Sequence, residues 1–263
     1  MSFDPDHLDA RDPQLIASVR PHARTLCARY FGLRVEGAEN IARGPVLYVG
    51  NHNDGLLGPE IACALSTLWD THGPHSPLYA LAHDFAMRQF TPFGRVLQRF
   101  GGVRATPENA RRVLERGGQL LAYPGGDLEA YRHYRRQDEI VLGARTGFVR
   151  LAREMRIPIV PVVAHGAHRS ALIFSEGAKI ARYLRLKEWA RLERFPLALA
   201  LPWGIAVGPW IPYLPLPFPI RLRFLPAMHF GPRDDASASR ERVRVSMQSA
   251  LDEMAVESRT DRS

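Results

Sequence analysis

With 263 residues, 46% of them hydrophobic and 24% charged, the chain can bury the core of one large domain or at most two small ones, which excludes a disordered class. The formal net charge of +8, with a pI of about 10.0, draws the protein to anionic surfaces. Its arginines are scattered, without the aromatic-interleaved basic stripe or zinc-ligand spacing of nucleic-acid modules, so a membrane surface is expected and nucleic acid is not. Cys27 and Cys63, far apart in the sequence, are the chain's two cysteines, which fits a reducing compartment rather than a disulfide framework.

In chain order, the polar, acidic opening "MSFDPDHLDARDP" has no apolar signal region, so a cytoplasmic location is expected. Residues 13–31 read as an amphipathic helix kinked near Pro21. "PVLYVGN" (45–51) reads as a fully buried strand, and Pro59 opens a helix running to Trp69. "PLYALAH" is a second strand, followed by two short helices. Thr106 is an expected N-cap, with Pro107 at the first helical position and Gly117 at the end. "QLLAYPGG" is a third strand, "RTGFVRLAREMR" a helix, and "IPIVPVVAHG" a fourth strand. A helix near 175–188, strands near 197–208 and 220–225, and a C-terminal helix over 235–257 complete the pattern. Strands alternating with helices and reading as continuous apolar runs predict a mixed, largely parallel α/β sheet covered on both faces.

The run from Phe195 to Ile220 carries no charge and is long enough for a membrane span. Seven prolines interrupt it, each costing a helix interior about 3 kcal/mol. Three readings stand: a strand and proline-ruled loop packed on the core, an apolar platform with Trp203, Trp210, Tyr213 and Phe218 on a bilayer face, or, last in order, a full span.

Reacting groups in open α/β sheets gather beyond the carboxyl ends of strands. Three such ends are unusual here: Asn51-His52, Gly125-Gly126-Asp127 and His165-Gly166. A strand-end histidine held by a carboxylate can act as a general base near neutral pH. No G-x-S-x-G elbow, Walker loop or dinucleotide loop is present. The histidines near 72–75 and 165–168 lack carboxylate or thiolate partners at metal-ligand spacing, so no metal is expected.

Four blocks, "VGNHNDGLLGPE" (49–60), "LYALAHDFAM…PFGRVLQRFGGVRATPENA" (78–110), "LLAYPGGDLEAYR" (120–132) and "GFVRLAREMRIPIVPVVAHG" (147–166), resemble the glycerolipid acyltransferases in order and spacing. The likeness is closest to a bacterial branch with an NHSGG…PD-like box. The resemblance implies transfer of a fatty acyl group from an acyl-CoA or acyl-carrier-protein thioester to a hydroxyl of a glycerolipid-like acceptor, at the cytoplasmic face of a membrane. The thioester is a co-substrate, and no cofactor is implied. It gives an acyltransferase domain over 45–230, preceded by an N-terminal helical segment (1–44) and followed by a C-terminal helix (231–263), all in one structural domain; oligomeric state is left open.

Carried over, His52 is the base. The position where the familiar box has its aspartate is Leu57; Glu60 falls where the narrower branch has its acid, with Asp54 as the rival closer in sequence. Asn51, Arg104, Gly125, Gly126, Asp127 and Arg132 are the substrate-side candidates. The glycine N–H groups are expected to face a developing oxyanion. Asp127, Glu129 and Arg132 match the branch's "PGGD…AYR" pattern and are expected as a charged lining or an ion pair. Pro158 and Pro161 match the fourth block, on the acyl side. Direct attack of the acceptor oxygen on the thioester, with no acyl-enzyme, is implied. Pro107 and Leu128 stand where phosphate-accepting members carry arginines, so the acceptor is expected to lack a phosphate unless Arg104 or Arg132 substitutes. The competing reading is a catalytically inactive lipid binder of the same fold.

Overall fold

The computed structural model describes residues 3–53, 58–89, 91–208 and 213–260. In chain order the chain forms α1 (Pro13–Arg29), β1 (Arg34–Glu36), β2 (Val46–Gly50), α2 (Pro59–His72) and β3 (Leu78–Ala82). A π-helical turn, α3 (Thr91–Arg99), β4 (Gly102–Arg104), α4 (Pro107–Glu115), β5 (Gln119–Ala122) and α5 (Gly126–Ala130) follow. Next come α6 (Gly147–Met155), β6 (Ile159–His165), β7 (Leu172–Ser175), α7 (Ala178–Tyr183) and α8 (Leu186–Trp189). The chain ends with β8 (Leu197–Ala200), β9 (Gly204–Val207), β10 (Arg221–Phe224) and α9 (Ala236–Thr260).

Seven strands form one sheet in the order β1-β10-β6-β2-β5-β3-β4. Every neighbouring pair is parallel except β10 against β6. This is the mixed, largely parallel sheet that the apolar runs predict. All five residues of β2 are buried, because both faces of the sheet are covered. The pleat sends Leu47 and Val49 into a core with α4, α6 and α9, and Val46 and Tyr48 into a core with α1 and α2. α4 begins as the sequence predicts: the Thr106 hydroxyl accepts from the N–H of Asn109 at 3.2 Å, Pro107 opens the helix, and Gly117 adopts a φ of +75° beyond its end.

A second sheet, β7-β8-β9, is antiparallel throughout. It accounts for the first half of the proline-rich apolar run. Among the described residues, no helix is long and apolar enough to cross a membrane. The single helix expected near 175–188 is instead two: Arg185, at a φ of +50°, breaks it between α7 and α8. Residues 34–36, expected within a helical segment, add an edge strand to the main sheet. Trp210 of the expected platform lies outside the described residues.

β2 lies at the centre of the large sheet, with β5 and β6 on its two sides. The loops leaving the carboxyl ends of these three strands meet above them. His52 is therefore set where three loops converge.

Candidate active site

α2 starts with Pro59, so Glu60 sits in the first turn, where the helix N-terminus favours a carboxylate. Its side chain is fully buried, and Oε1 lies 2.7 Å from Nδ1 of His52. The same oxygen accepts the backbone N–H of Asn53 at 3.0 Å. The imidazole is only 15% exposed, held on its Nδ1 side by an acid that solvent does not reach. Glu60 Oε2 is buried and has no hydrogen-bond partner among the described residues. Asp54, the rival acid, lies outside the described residues.

The backbone beneath the imidazole is held with equal definition. Glu129 Oε2 accepts the N–H of His52 at 2.8 Å, and Oε1 accepts that of Val141 at 2.8 Å. Arg132 is fully buried. Its five N–H groups go to the carbonyls of Arg136, His52, Glu129 and Gln137 and to Asn53 Oδ1. Burial raises the Glu129 carboxyl above the ordinary range, with Arg132 pulling it back down; burial likewise lowers Arg132, with Glu129 opposing. His168 donates from Nδ1 to the Asn53 carbonyl and has the Arg132 carbonyl 3.3 Å from Nε2. Burial, helped by the neighbouring Arg132 charge, pushes His168 down to about 3, so the ring is neutral.

The Tyr123 ring tilts against His52 at a centroid distance of 5.4 Å. Burial, then the Glu60 carboxylate, lift its hydroxyl well above 10, which keeps it protonated. A Cβ at Gly50 would collide with this ring, so glycine at the end of β2 is what lets Tyr123 reach the histidine.

Most of the expected substrate-side residues prove to be framework. Asn51 is fully buried: Ala164 N–H donates to its Oδ1 at 2.7 Å and its Nδ2 returns to the Ala164 carbonyl at 3.0 Å, extending the β2–β6 pairing by one side chain. Asp127 is covered, accepting the N–H of Glu193 at 2.5 Å with Arg145 at 3.5 Å, and is not part of a charged lining. Arg104 grips Asp6 with Nε, at 2.7 Å, and with Nη2, and has Asp84 at 3.7 Å. That grip holds the Asp6 carboxyl below the usual range. Arg132 spends every donor on carbonyls and one amide of its own chain. Neither arginine is thus placed as a phosphate clamp. The Gly126 N–H donates to the Tyr123 carbonyl at 3.1 Å, closing a turn rather than facing an oxyanion. Gly125 is needed because a Cβ there would collide with the Glu129 carboxylate.

Sequence reasoning missed Asn53 and His168, which fix the loop from the side. The one signal for them is proximity: Asn53 follows His52, and His168 lies three residues past the end of β6. Among the described residues no three His, Cys, Asp or Glu side chains are placed to hold a metal ion.

The family model described as "Acyltransferase" matches residues 32–165, a span containing His52, Glu60, Glu129 and Arg132. Uncharacterised proteins of Mycobacterium tuberculosis and Mycobacterium bovis are 29% identical over 200 residues, 73% of this chain and 55% of theirs. The chain thus spans about half the length of these curated relatives. Phytyl ester synthase 2, chloroplastic, of Arabidopsis thaliana is 31% identical over 126 residues, 46% of this chain and 17% of that protein. The solved 1-acyl-sn-glycerophosphate (LPA) acyltransferase PlsC of Thermotoga maritima has a similar fold, with a TM-score of 0.54 at 18% identity, covering 92% of this chain and 83% of that one.

Proposed function

Because this chain belongs to the acyltransferase family, we propose that it is an O-acyltransferase moving a fatty acyl group from an acyl-CoA or acyl-carrier-protein thioester to the hydroxyl of a neutral, glycerolipid-like acceptor. The observation that carries the reading is the 2.7 Å contact between His52 Nδ1 and the buried Glu60 carboxylate at the end of the central strand. Nε2 of His52 takes the proton from the acceptor hydroxyl as its oxygen attacks the thioester carbonyl carbon. Glu60 stabilises the imidazolium that forms and fixes which nitrogen does the work. Collapse of the tetrahedral intermediate breaks the carbon–sulfur bond, and the imidazolium returns the proton to the departing thiolate. Cys27 and Cys63 are both buried, which favours direct transfer over a thiol acyl-enzyme. The enzyme works peripherally at the cytoplasmic face of a membrane, where such acceptors reside.

A neutral acceptor is favoured by the arginines. A phosphate is read best by a bidentate guanidinium, and the two candidates here are committed to Asp6 and to backbone carbonyls. The relative named as a phytyl ester synthase is in keeping with this. The test is turnover of purified protein with labelled acyl-CoA or acyl-carrier protein, offered lysophosphatidic acid, monoacylglycerol or diacylglycerol. Faster transfer to the neutral acceptors is expected. A clear preference for lysophosphatidic acid overturns the acceptor assignment, and no transfer to any of them favours a lipid-binding protein of the same fold.

A further inference from the structure

The small sheet has its side chains arranged in the opposite sense to a water-facing sheet. Along β8 and β9 the inward positions are alanines: Ala200 and Ala206 are buried against Ala171 and Tyr213, and Ala198 packs on Ile173, Ala130 and Tyr131. The outward positions are large and branched. Leu197 faces Val207 and Leu199 faces Ile205 across the strands, and all four are exposed, Ile205 by 68%. Trp203, at the turn between the strands, is 57% exposed. A strand in water buries its bulky residues and shows its small or polar ones, so an outward aliphatic face of this kind marks a surface meant to be covered.

α7 and α8 leave and re-enter this sheet between β7 and β8, their base closed by the Phe195 N–H on the Glu176 carbonyl at 3.0 Å. They expose Lys179, Arg182 and Arg185 beside Tyr183, which is 88% exposed. Aliphatic residues with an aromatic tip, on a sheet whose β7–β8 connection carries exposed cations, match the components of an anionic bilayer: acyl chains, interface, charged headgroups. A second copy of a chain of net charge +8 would instead bring like charges together.

We propose that the outer face of the β7–β8–β9 sheet, with Trp203 at its tip and the α7–α8 cations in its β7–β8 connection, seats the protein on an anionic lipid bilayer. This deepens the membrane placement given above by naming the surface. The inner face of the sheet packs against Ala130 of α5, the helix that carries Glu129. The bilayer therefore lies one layer of packing from the residues that hold His52.

The test uses flotation of the full chain with vesicles of phosphatidylcholine alone or with about a third phosphatidylglycerol. The wild type should float with the anionic vesicles, more weakly as salt rises. Leu199→Ser/Ile205→Ser should lower that partition by about tenfold or more at an unchanged thermal midpoint. Brominated acyl chains should quench wild-type tryptophan emission, and much less so in Trp203→Phe, a measurement that requires no destabilising variant. His52→Ala should float like the wild type, so failure of catalysis and failure of docking read out separately. The proposal is overturned if the wild type stays unbound on both vesicle types, if the double variant floats as well as the wild type, or if the variant turns a dimer into a monomer with no vesicle binding in either.

Discussion

Arg132 joins the three loops of the site because a guanidinium is the one side chain that can donate five hydrogen bonds from a fixed plane. All five are used, on the carbonyls of residues 52, 129, 136 and 137 and on the Asn53 amide. Arg132→Met keeps much of the volume but leaves those buried acceptors facing a thioether, at about 1–3 kcal/mol for each one that finds no new partner. The variant should lose about 3–5 kcal/mol of stability in urea unfolding. A loss within about 0.5 kcal/mol would mean that the arginine is not the keystone of these loops. In the sequence Arg132 reads only as a charge near the site. Nothing local announces that its partners are its own backbone, just as nothing announces that Arg104 is neutralised by Asp6, 98 positions away. The pairing of His52 with Glu60 is legible because the place of each follows from local rules: the end of a fully apolar run, and the first turn after a proline.

Among the elements, Gly125 carries the most direct consequence. α5 must come so close to the carboxyl end of β2 that the Glu129 carboxylate reaches the His52 N–H, and a Cβ on Gly125 occupies that carboxylate's place and crowds the Val141 carbonyl. Gly125→Ala should therefore cost about 1–3 kcal/mol of stability and lower acyl transfer with it, by displacing the backbone of His52. Wild-type turnover in a folded variant would show that Glu129 does not position His52. β2, β5 and β6 are plain in the sequence because burial on both faces writes them as unbroken apolar runs. β1, β4 and β7 are three or four residues long, too short for any periodicity to register, and they exist because a neighbouring strand edge is there to pair with. The inward alanines of β8 and β9 are equally hidden, since a run that is apolar on both faces does not say which one is covered.

For the whole molecule, stability should depend on acid through His168. Its ring is neutral when folded, at about 3 against an ordinary 6.5, so between those values the unfolded chain binds a proton that the folded one does not. Stability is then full above 6.5 and falls as pH drops toward 3, by at most about 1.4 kcal/mol per unit from this group. Glu129, raised by burial, acts in the opposite sense above the ordinary glutamate range, so the informative quantity is a difference. Urea midpoints across pH for wild type and His168→Gln should diverge in slope below about 6.5. Parallel slopes would show that the ring is protonated in the fold.

The chemistry proposed for the protein rests on one imidazole. Incorporation of labelled acyl groups into a neutral lipid acceptor, compared for wild type and His52→Ala with vesicle binding measured on the same samples, tests it most directly. Loss of transfer by about 10²–10⁴-fold at unchanged binding is the predicted result. Equal incorporation by the two proteins would contradict it.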